Sequence, residues 1–360
     1  MKYLHIIGGG NIRAAQTFLK LICENFDTSE HALLLIGTTL SNTEVFKGKI
    51  FTLEKYDTSK IIELIKDSDR VFLHSLFLST ETKLKILLNP ALMKKIVWIA
   101  WGMDLYEGRY KSGLVSKFKK IIDDRFKKSV KYFVGVFPPD IDTFKCKYGS
   151  RATTFFAQYS GRGGSPLYHN PPVVTKIQDK VSKSEPVNII IGHQANPILQ
   201  HKEVIDWLSR FVEENQNIHI YIPLSYGNAD YIKIVEEYAK NVLSDRVTVV
   251  KDYMELPKYI EFLQKMDIAV FHTERQIGLG NIQPLLYMQK KIYTKSNGVM
   301  YKYFKENGIN IQKSEELEKI SFSELVQDVD MTDATAFVQS IRDYETNVQR
   351  WRDVFEGVSK

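Results

Sequence analysis

The sequence predicts an α/β protein made of two doubly wound halves, each a parallel sheet with helices on both faces. Three observations carry the prediction. Apolar strand candidates alternate with amphipathic helices from Tyr3 to Ala157, and such alternation builds parallel sheets. The alternation stops in Ser160–Pro172, SGRGGSPLYHNPP, and in the polar run Thr175–Pro186, where dense glycine and proline and then low hydrophobicity mark a linker. It restarts at Val187 and continues to Ile311 in a chain of 360 residues, a length that divides better into two cores than one. The expected organisation is a first half at 1–172, a linker at 173–186, a second half at 187–330, and a helix over 331–360 that packs back across the first half.

In the first half, strand Tyr3–Ile7 runs into Gly8, Gly9, Gly10 and Asn11. A helix follows with Ile12, Ala15, Phe18, Leu19 and Ile22 on one face. This is similar to the first turn of a nucleotide-binding fold. However, Arg13 stands where the dinucleotide fingerprint needs glycine, and no acidic residue ends the next strand, Ala32–Ile36. The turn reads as a tight bend bordering a cleft, not as an NAD site. Further strands are expected at Ile50–Leu53, Val71–His74, Ile96–Ala100, Tyr132–Val136 and Thr154–Ala157. Helices are expected at Ser59–Lys66, Thr80–Leu88, roughly Leu105–Lys128, and Asp140–Lys147.

Ligands of such sheets sit beyond the carboxyl ends of the strands. Two of those ends carry chemistry: His74-Ser75, and Trp101-Gly102-Met103-Asp104-Leu105-Tyr106-Glu107. Asp104 has two readings. It can cap a helix, or act as a general base with Trp98 and Trp101 excluding water and raising its pKa. His74 has the same two, a structural histidine at a strand end or a base that titrates near neutrality. Glu107 reads as a solvated first-turn carboxylate. Asp140-Ile141-Asp142 has the form of a metal-binding DxD, but after Pro138-Pro139 it reads as a helix start.

Leu114–Lys131, LVSKFKKIIDDRFKKSVK, places Leu114, Phe118, Ile121, Ile122 and Phe126 on one helical face. Lys117, Lys119, Lys120, Arg125, Lys127, Lys128 and Lys131 fill the rest. A basic amphipathic helix lies on anionic membranes; the same pattern also describes a core helix with a solvated lysine face.

In the second half, strand Val187–Ile191 leads to Gly192-His193-Gln194-Ala195, with Asn196-Pro197 as N-cap and first helical residue. Strand Ile218–Ile222 is followed by Pro223-Leu224-Ser225-Tyr226-Gly227 and a helix from Asn228. Val247–Val250 ends at Lys251-Asp252-Tyr253 before a helix at Glu255–Lys265. Ile268–Phe271 leads into Thr273–Gln276, then Gly278, Gly280, the expected N-cap Asn281 and an apolar helix. Lys291–Thr294, a helix near Val299–Glu306 and a last strand at Ile309–Ile311 complete the sheet. The stretch after Phe271 has the makings of an anion site: glycines admit the backbone, the helix dipole favours negative charge, and Arg275 offers a forked donor. The alternative is a plain turn. The final segment, Asp333–Phe355, puts Phe337, Ile341, Tyr344, Val348, Trp351 and Phe355 on one stripe that needs a surface to cover.

Composition narrows the class. Hydrophobic residues at 44% and charged residues at 26% are ordinary for a soluble globular chain, and a net charge of +6 is too mild to imply nucleic acid. Cys23 and Cys146 form neither a metal spacing nor a disulfide framework, which suits a reducing cytoplasm. The N-terminus begins a strand without a signal-type apolar run, and no segment approaches the ~20 apolar residues of a membrane span. Any membrane contact is therefore expected to be peripheral.

Two Rossmann-like halves, a linker and a returning terminal helix are similar to the GT-B architecture of nucleotide-sugar glycosyltransferases, whose two domains face a cleft. The motifs narrow the resemblance. Trp101-Gly102-x-Asp104-Leu105-Tyr106-Glu107, Ile191-Gly192-x-Gln194, Pro223-Leu224-x-Tyr226 with Ala229-x-Tyr231-Ile232, Arg275-Gln276-x-Gly278-x-Gly280, and His74 after its strand resemble the bacterial 4-acetamido-4,6-dideoxygalactose transferases of enterobacterial common antigen.

That resemblance implies inverting transfer of a deoxyamino sugar from a dTDP-sugar to a polyprenyl-diphosphate-linked saccharide at the cytoplasmic face of the inner membrane, without a metal. It implies donor contacts from Gly192, His193, Gln194, Asn196, Tyr226, Asp252, Tyr253, Glu274, Arg275, Gln276, Gly278, Gly280 and Asn281. Glu274 would hold ribose or sugar hydroxyls, or orient Arg275. The acceptor side would comprise Gly9, Gly10, Asn11, Trp101, Tyr106 and Glu107, with Asp104 first and His74 second as base. Lys117, Lys119, Lys120, Lys127 and Lys128 would form the membrane face. The competing readings are a sugar-nucleotide epimerase of GT-B-like build and an inactive polysaccharide-assembly protein.

Overall fold

The computed structural model describes residues 1–8, 12–40, 45–106, 113–149, 151–159, 166–169 and 172–359. It divides into two compact units, Met1–Gly164 with Arg342–Lys360, and Ser165–Ile341.

The first unit holds seven strands: β1 (Tyr3–Gly8), β2 (His31–Ile36), β3 (Lys49–Leu53), β4 (Arg70–His74), β5 (Ile96–Ala100), β6 (Tyr132–Gly135) and β7 (Thr153–Phe156). They form one sheet in the order β3-β2-β1-β4-β5-β6-β7, parallel throughout. Strand residues alternate between its two faces. Leu4, Ile6, Leu34, Leu73 and Trp98 enter one apolar layer. Tyr3, Leu33, Phe72 and Val97 enter the other, with Phe18, Trp351 and Phe355. Burying each large apolar side chain stabilises by about 1.5–3 kcal/mol, so both layers contribute heavily.

The second unit repeats the plan with β8 (Val187–Ile191), β9 (Ile218–Pro223), β10 (Val247–Val250), β11 (Ile268–Phe271), β12 (Lys291–Thr294) and β13 (Gln312–Lys313). Their order is β10-β9-β8-β11-β12-β13, again parallel.

Several expectations are corrected. The helix foreseen over Leu105–Lys128 is a short turn, Met103–Tyr106, and a separate helix, Leu114–Ser129. The helix after Asn196 starts later, because Gln200 adopts φ +49 and splits the short turn Pro197–Leu199 from helix His201–Glu213. The last strand is Gln312–Lys313, not Ile309–Ile311. Part of the expected linker is structured: Ile177–Ser182 is a helix with Ile177 buried, its N–H donating to Asp328 Oδ1 at 2.7 Å.

The terminal stripe belongs to two helices, Thr332–Arg342 and Tyr344–Ser359. Asp343 separates them because its Oδ1 accepts from the Thr346 N–H at 2.8 Å, as a cap does. Only the second of them enters the first unit's core, where Trp351 Nε1 donates to the Gln158 carbonyl at 2.9 Å. Among the described residues no helix is long and apolar enough to cross a membrane.

Candidate functional site

In the second unit the sheet order reverses between β8 and β11, the switch point where open α/β sheets bind ligands at their carboxyl ends. Gly192 leaves β8 with φ +62, and a Cβ there would meet His201 Nε2 at 2.9 Å. His193 then lies across the switch point. A Cβ on Gly278, which has φ +75, would stand 2.8 Å from His193 Nδ1. Glycine satisfies both demands, a left-handed backbone and an empty Cβ position.

The His193 ring packs against Phe271 and Tyr226, with centroids 6.1 and 6.3 Å away. Burial pushes its pKa down to about 3, so it is neutral. His193 Nδ1 and Gln276 Oε1 are buried and have no hydrogen-bond partner among the described residues. Buried polar atoms are nearly always partnered, so these two leave hydrogen-bonding capacity open at the switch point. Arg275, 5% exposed, brings a buried cation to the same loop.

Helix Leu279–Tyr287 corrects the role of Asn281. Gly278 is the N-cap, because the chain turns there and its carbonyl accepts from the Asn281 and Ile282 N–H groups at 2.8 and 3.0 Å. Asn281 sits in the first turn, where Oδ1 accepts from the Tyr259 hydroxyl. A Cβ on Gly280 would touch nothing within 4 Å, so the helix start is open beside that residue. The β8 and β9 loops are zipped together: Ala195 N–H donates to the Tyr226 carbonyl and Asn228 N–H to the Ala195 carbonyl, each at 2.8 Å. Gln194 lies in that loop, and Asn196 caps the next turn through the Ile198 N–H at 3.2 Å. Tyr226 is half exposed, and Asp252 and Tyr253 stand in solvent past β10. Glu274 does not stand free. It pairs with Lys295 at 3.2 Å and accepts from Asn297 Nδ2 at 3.3 Å, and Lys295 holds its pKa below the ordinary value.

In the first unit the switch point lies between β1 and β4. His74, at the end of β4, is 1% exposed and bonded at both ring nitrogens: Nε2 to His5 Nδ1 at 3.1 Å and Nδ1 to the Tyr159 hydroxyl at 2.6 Å. His5 Nε2 continues to His31 Nδ1 at 2.9 Å. Trp101 Nε1 donates to the Tyr159 oxygen at 3.0 Å. An indole can only donate, so the Tyr159 oxygen accepts from Trp101, and His74, His5 and His31 link on from it in that order. Burial drives His74 down to about 3 and His31 to about 4. This arrangement makes His74 a structural link, and a weak base.

Asp104 is a staple. Its Oδ2 accepts from Trp98 Nε1 at 2.6 Å and the Leu76 N–H at 3.0 Å, and its Oδ1 accepts from the Trp101 N–H at 2.9 Å. Burial raises its pKa and those donors offset part of the rise. Tyr106 is half-buried and donates to Asp140 Oδ1 at 2.8 Å. Gly9, Gly10, Asn11 and Glu107 lie outside the described residues.

Helix Leu114–Ser129 has two apolar sides. Ile122 and Phe126 are buried, whereas Leu114 is 85%, Phe118 56% and Ile121 62% exposed. Lys117, Lys119, Lys120 and Lys128 are exposed around them. Lys127 is the exception and a correction. It is 3% exposed, paired with Asp123 at 2.7 Å and set over the Trp98 and Tyr148 rings, because its position on the wheel faces the core.

Sequence reasoning passed over Tyr259, Tyr159, His5 and His31. The two histidines left a signal, as polar residues inside the apolar strands YLHIIG and HALLLI; the tyrosines act through contacts that only the fold creates. No group of three or more His, Cys, Asp or Glu side chains that could hold a metal occurs among the described residues.

The family model described as 4-alpha-L-fucosyltransferase, glycosyl transferase group 56, matches residues 38–356. Among solved structures, HepE of Anabaena in complex with UDP and glucose is 13% identical with a TM-score of 0.69, over 99% of this chain and 100% of that one. A glycosyltransferase from Rickettsia africae is also 13% identical, with a TM-score of 0.64, over 100% and 98%. The Thermobaculum terrenum O-GlcNAc transferase is 12% identical with a TM-score of 0.60, over 99% of this chain and 67% of that one. The fold is therefore that of two Rossmann-like domains of the GT-B glycosyltransferases.

Proposed function

The chain belongs to the 4-alpha-L-fucosyltransferase family, glycosyl transferase group 56, and is a glycosyltransferase; from that premise we propose that it moves 4-acetamido-4,6-dideoxygalactose from a dTDP-sugar to a polyprenyl-diphosphate-linked saccharide, with inversion. The sugar is fucose-like, a 6-deoxygalactose with an acetamido group at carbon 4, which agrees in kind with the family's description. The resemblance of the WGxDLYE and RQxGxG motifs supports the finer assignment.

The observation that carries this reading is the β8–β11 switch point, with its orphaned His193 Nδ1 and Gln276 Oε1 and the open helix start at Gly280. There the donor diphosphate would meet helix N–H groups and the cation of Arg275, which stabilise charge on the leaving nucleotide without a metal. That HepE, of the same fold, is found in complex with UDP supports a nucleotide-activated donor. Tyr226, Asp252 and Tyr253 would contact base and ribose. Trp101 and Tyr106 would border the acceptor, with Asp104 and His74 fixing the loops that carry them.

The exposed stripe Leu114, Val115, Phe118 and Ile121 with Lys117, Lys119, Lys120 and Lys128 would seat the enzyme on the anionic cytoplasmic face of the inner membrane, where such an acceptor is anchored.

The test has two arms. In thermal melts, dTDP is expected to raise the unfolding temperature more than UDP or GDP at equal concentration, since a ligand of the folded state stabilises it. A larger shift with UDP or GDP sinks the donor assignment. In flotation assays, the protein is expected to bind phosphatidylglycerol vesicles, and Phe118→Ser with Ile121→Ser to abolish that binding. Undiminished binding removes the membrane face.

A further inference from the structure

Inversion requires a group that accepts the proton of the attacking hydroxyl, and the geometry above leaves that group unassigned. His74 has both nitrogens bonded. A proton on Asp104 would cost one of three N–H bonds. One carboxylate of the first unit is differently placed. Asp140 lies in the first turn of helix Pro138–Tyr148, just past the carboxyl end of β6. Tyr106 follows the carboxyl end of β5, and β5 and β6 are neighbours in the sheet. The two side chains meet at those adjoining ends. Tyr106 donates to Asp140 Oδ1 at 2.8 Å and lies 3.3 Å from Thr143 Oγ1. Asp140 is 0% exposed, and its Oδ2 has no hydrogen-bond partner among the described residues.

The surrounding charges explain why such a group exists there. Lys83 and Lys127 are buried with Asp123 between them, and Asp104 lies close enough to act on Lys83 and on Asp140. Two cations and two other carboxylates already cancel, so a proton on Asp140 leaves the cluster neutral and its loss adds an uncompensated charge. Burial first, and Asp104 second among the raising causes, lift the Asp140 pKa to about 7, against the opposing Tyr106 hydrogen bond. A carboxyl poised near neutrality has the affinity that proton transfer at the cytoplasm's pH calls for.

We propose that Asp140 is the terminal proton acceptor of the transfer, reached through the hydroxyl of Tyr106, which touches the acceptor. The inference rests on the transferase reading above. The acceptor oxygen forms a bond to the anomeric carbon as the bond from that carbon to the diphosphate oxygen breaks, and the nucleotide leaves with that electron pair. The acceptor's proton passes to the Tyr106 oxygen while the phenolic proton of Tyr106 passes to Asp140 Oδ1. After product release Asp140 returns the proton to solvent by the reverse path. Tyr106 is the catalytic residue in contact with substrate, and Asp140 acts through it.

The test uses the full chain with dTDP-4-acetamido-4,6-dideoxygalactose and a polyprenyl-diphosphate disaccharide. Wild-type turnover is expected to rise with pH through about 7. Asp140→Asn and Tyr106→Phe are each expected to lower kcat about 100-fold or more, with KM for the donor unchanged and the rising limb gone, and Asp140→Glu to restore part of the rate. Dissociation constants for dTDP that match wild type show that the variants fold and keep the donor site. An Asp140→Asn enzyme with kcat within threefold of wild type, or with its limb intact, overturns the proposal. A readout independent of turnover is the carboxyl band in infrared difference spectra, expected to titrate near 7 in wild type and to vanish in Asp140→Asn. Its absence from wild type also overturns the proposal. Failure of dTDP to stabilise wild type would instead remove the donor reading, and the infrared titration would still decide on Asp140.

Discussion

The two sheets reverse direction at equivalent points, between β1 and β4 and between β8 and β11, and finish those points in opposite ways. In the first unit Asp104 and the histidines close on one another, although Ser75 Oγ and Asp140 Oδ2 are buried there without partners among the described residues. Asp104 collects three N–H donors, and His74, His5 and His31 form a chain anchored by Trp101 and Tyr159. In the second unit the polar groups stop short: His193 Nδ1 and Gln276 Oε1 are buried without partners among the described residues, and the helix start is open at Gly280. Polar groups of the first kind fix a loop's position, while those of the second kind are left open, as the proposed donor site requires. Substitutions should therefore separate stability from binding according to unit.

The largest effect expected is at Asp104. Asp104→Ala strands three N–H donors, each worth about 1–3 kcal/mol if left unsatisfied, so a loss on the order of 4 kcal/mol is expected in urea denaturation. A loss below about 1 kcal/mol would break the distinction. Next in size is an acid effect from the buried histidines, His5, His31 and His74 in the first unit and His193 and His201 in the second. Their folded-state pKa values lie below the unfolded value, so their contribution is complete above about 6.5 and is lost as pH falls toward about 4, the value for His31. With about 1.4 kcal/mol per pKa unit, His31 alone accounts for roughly 3 kcal/mol. Melting temperature should fall between pH 7 and 4, and less so in His31→Phe. An equal fall in both would detach the chain from acid stability. The smallest stability change is expected at His193. His193→Ala loses no hydrogen bond at Nδ1 but gives up the ring packing on Phe271 and Tyr226, so it should cost about 1–2 kcal/mol, yet should reduce the dTDP-induced rise in melting temperature several-fold. A normal dTDP response would remove His193 from the donor site.

Regular features were legible in the sequence because they are periodic. The alternation of strand and helix, the apolar strands and the glycine-bearing loops could all be read directly, and the strand bounds agree within about two residues at β1, β5, β8, β11 and β12. What escaped depends on the third dimension. Lys127 shares its segment with four solvent-facing lysines, and only its packing on Trp98 and Asp123 distinguishes it. Asn281 looked like a cap because nothing in GLGN reveals that Gly278 takes φ +75 first. Asp343 is one acid among many until its carboxylate is seen on the Thr346 N–H. Asp140 was read as a helix start, which it is; its burial and the Tyr106 hydroxyl became visible only when β5 and β6 were paired.

The first unit is built from both ends of the chain, with residues 165–341 folded between them. On a ribosome this reverses the usual order, in which N-terminal domains finish first. The second unit is contiguous and can fold as it emerges. The first must wait for Trp351 and Phe355, which cover Phe18 and Phe72. At about 5–20 residues per second the wait is roughly 10–40 s, with one apolar layer of the seven-stranded sheet lacking part of its cover. Damage to the last turn of the chain would then show first as poor yield and chaperone retention in the cell, before any defect in the purified enzyme.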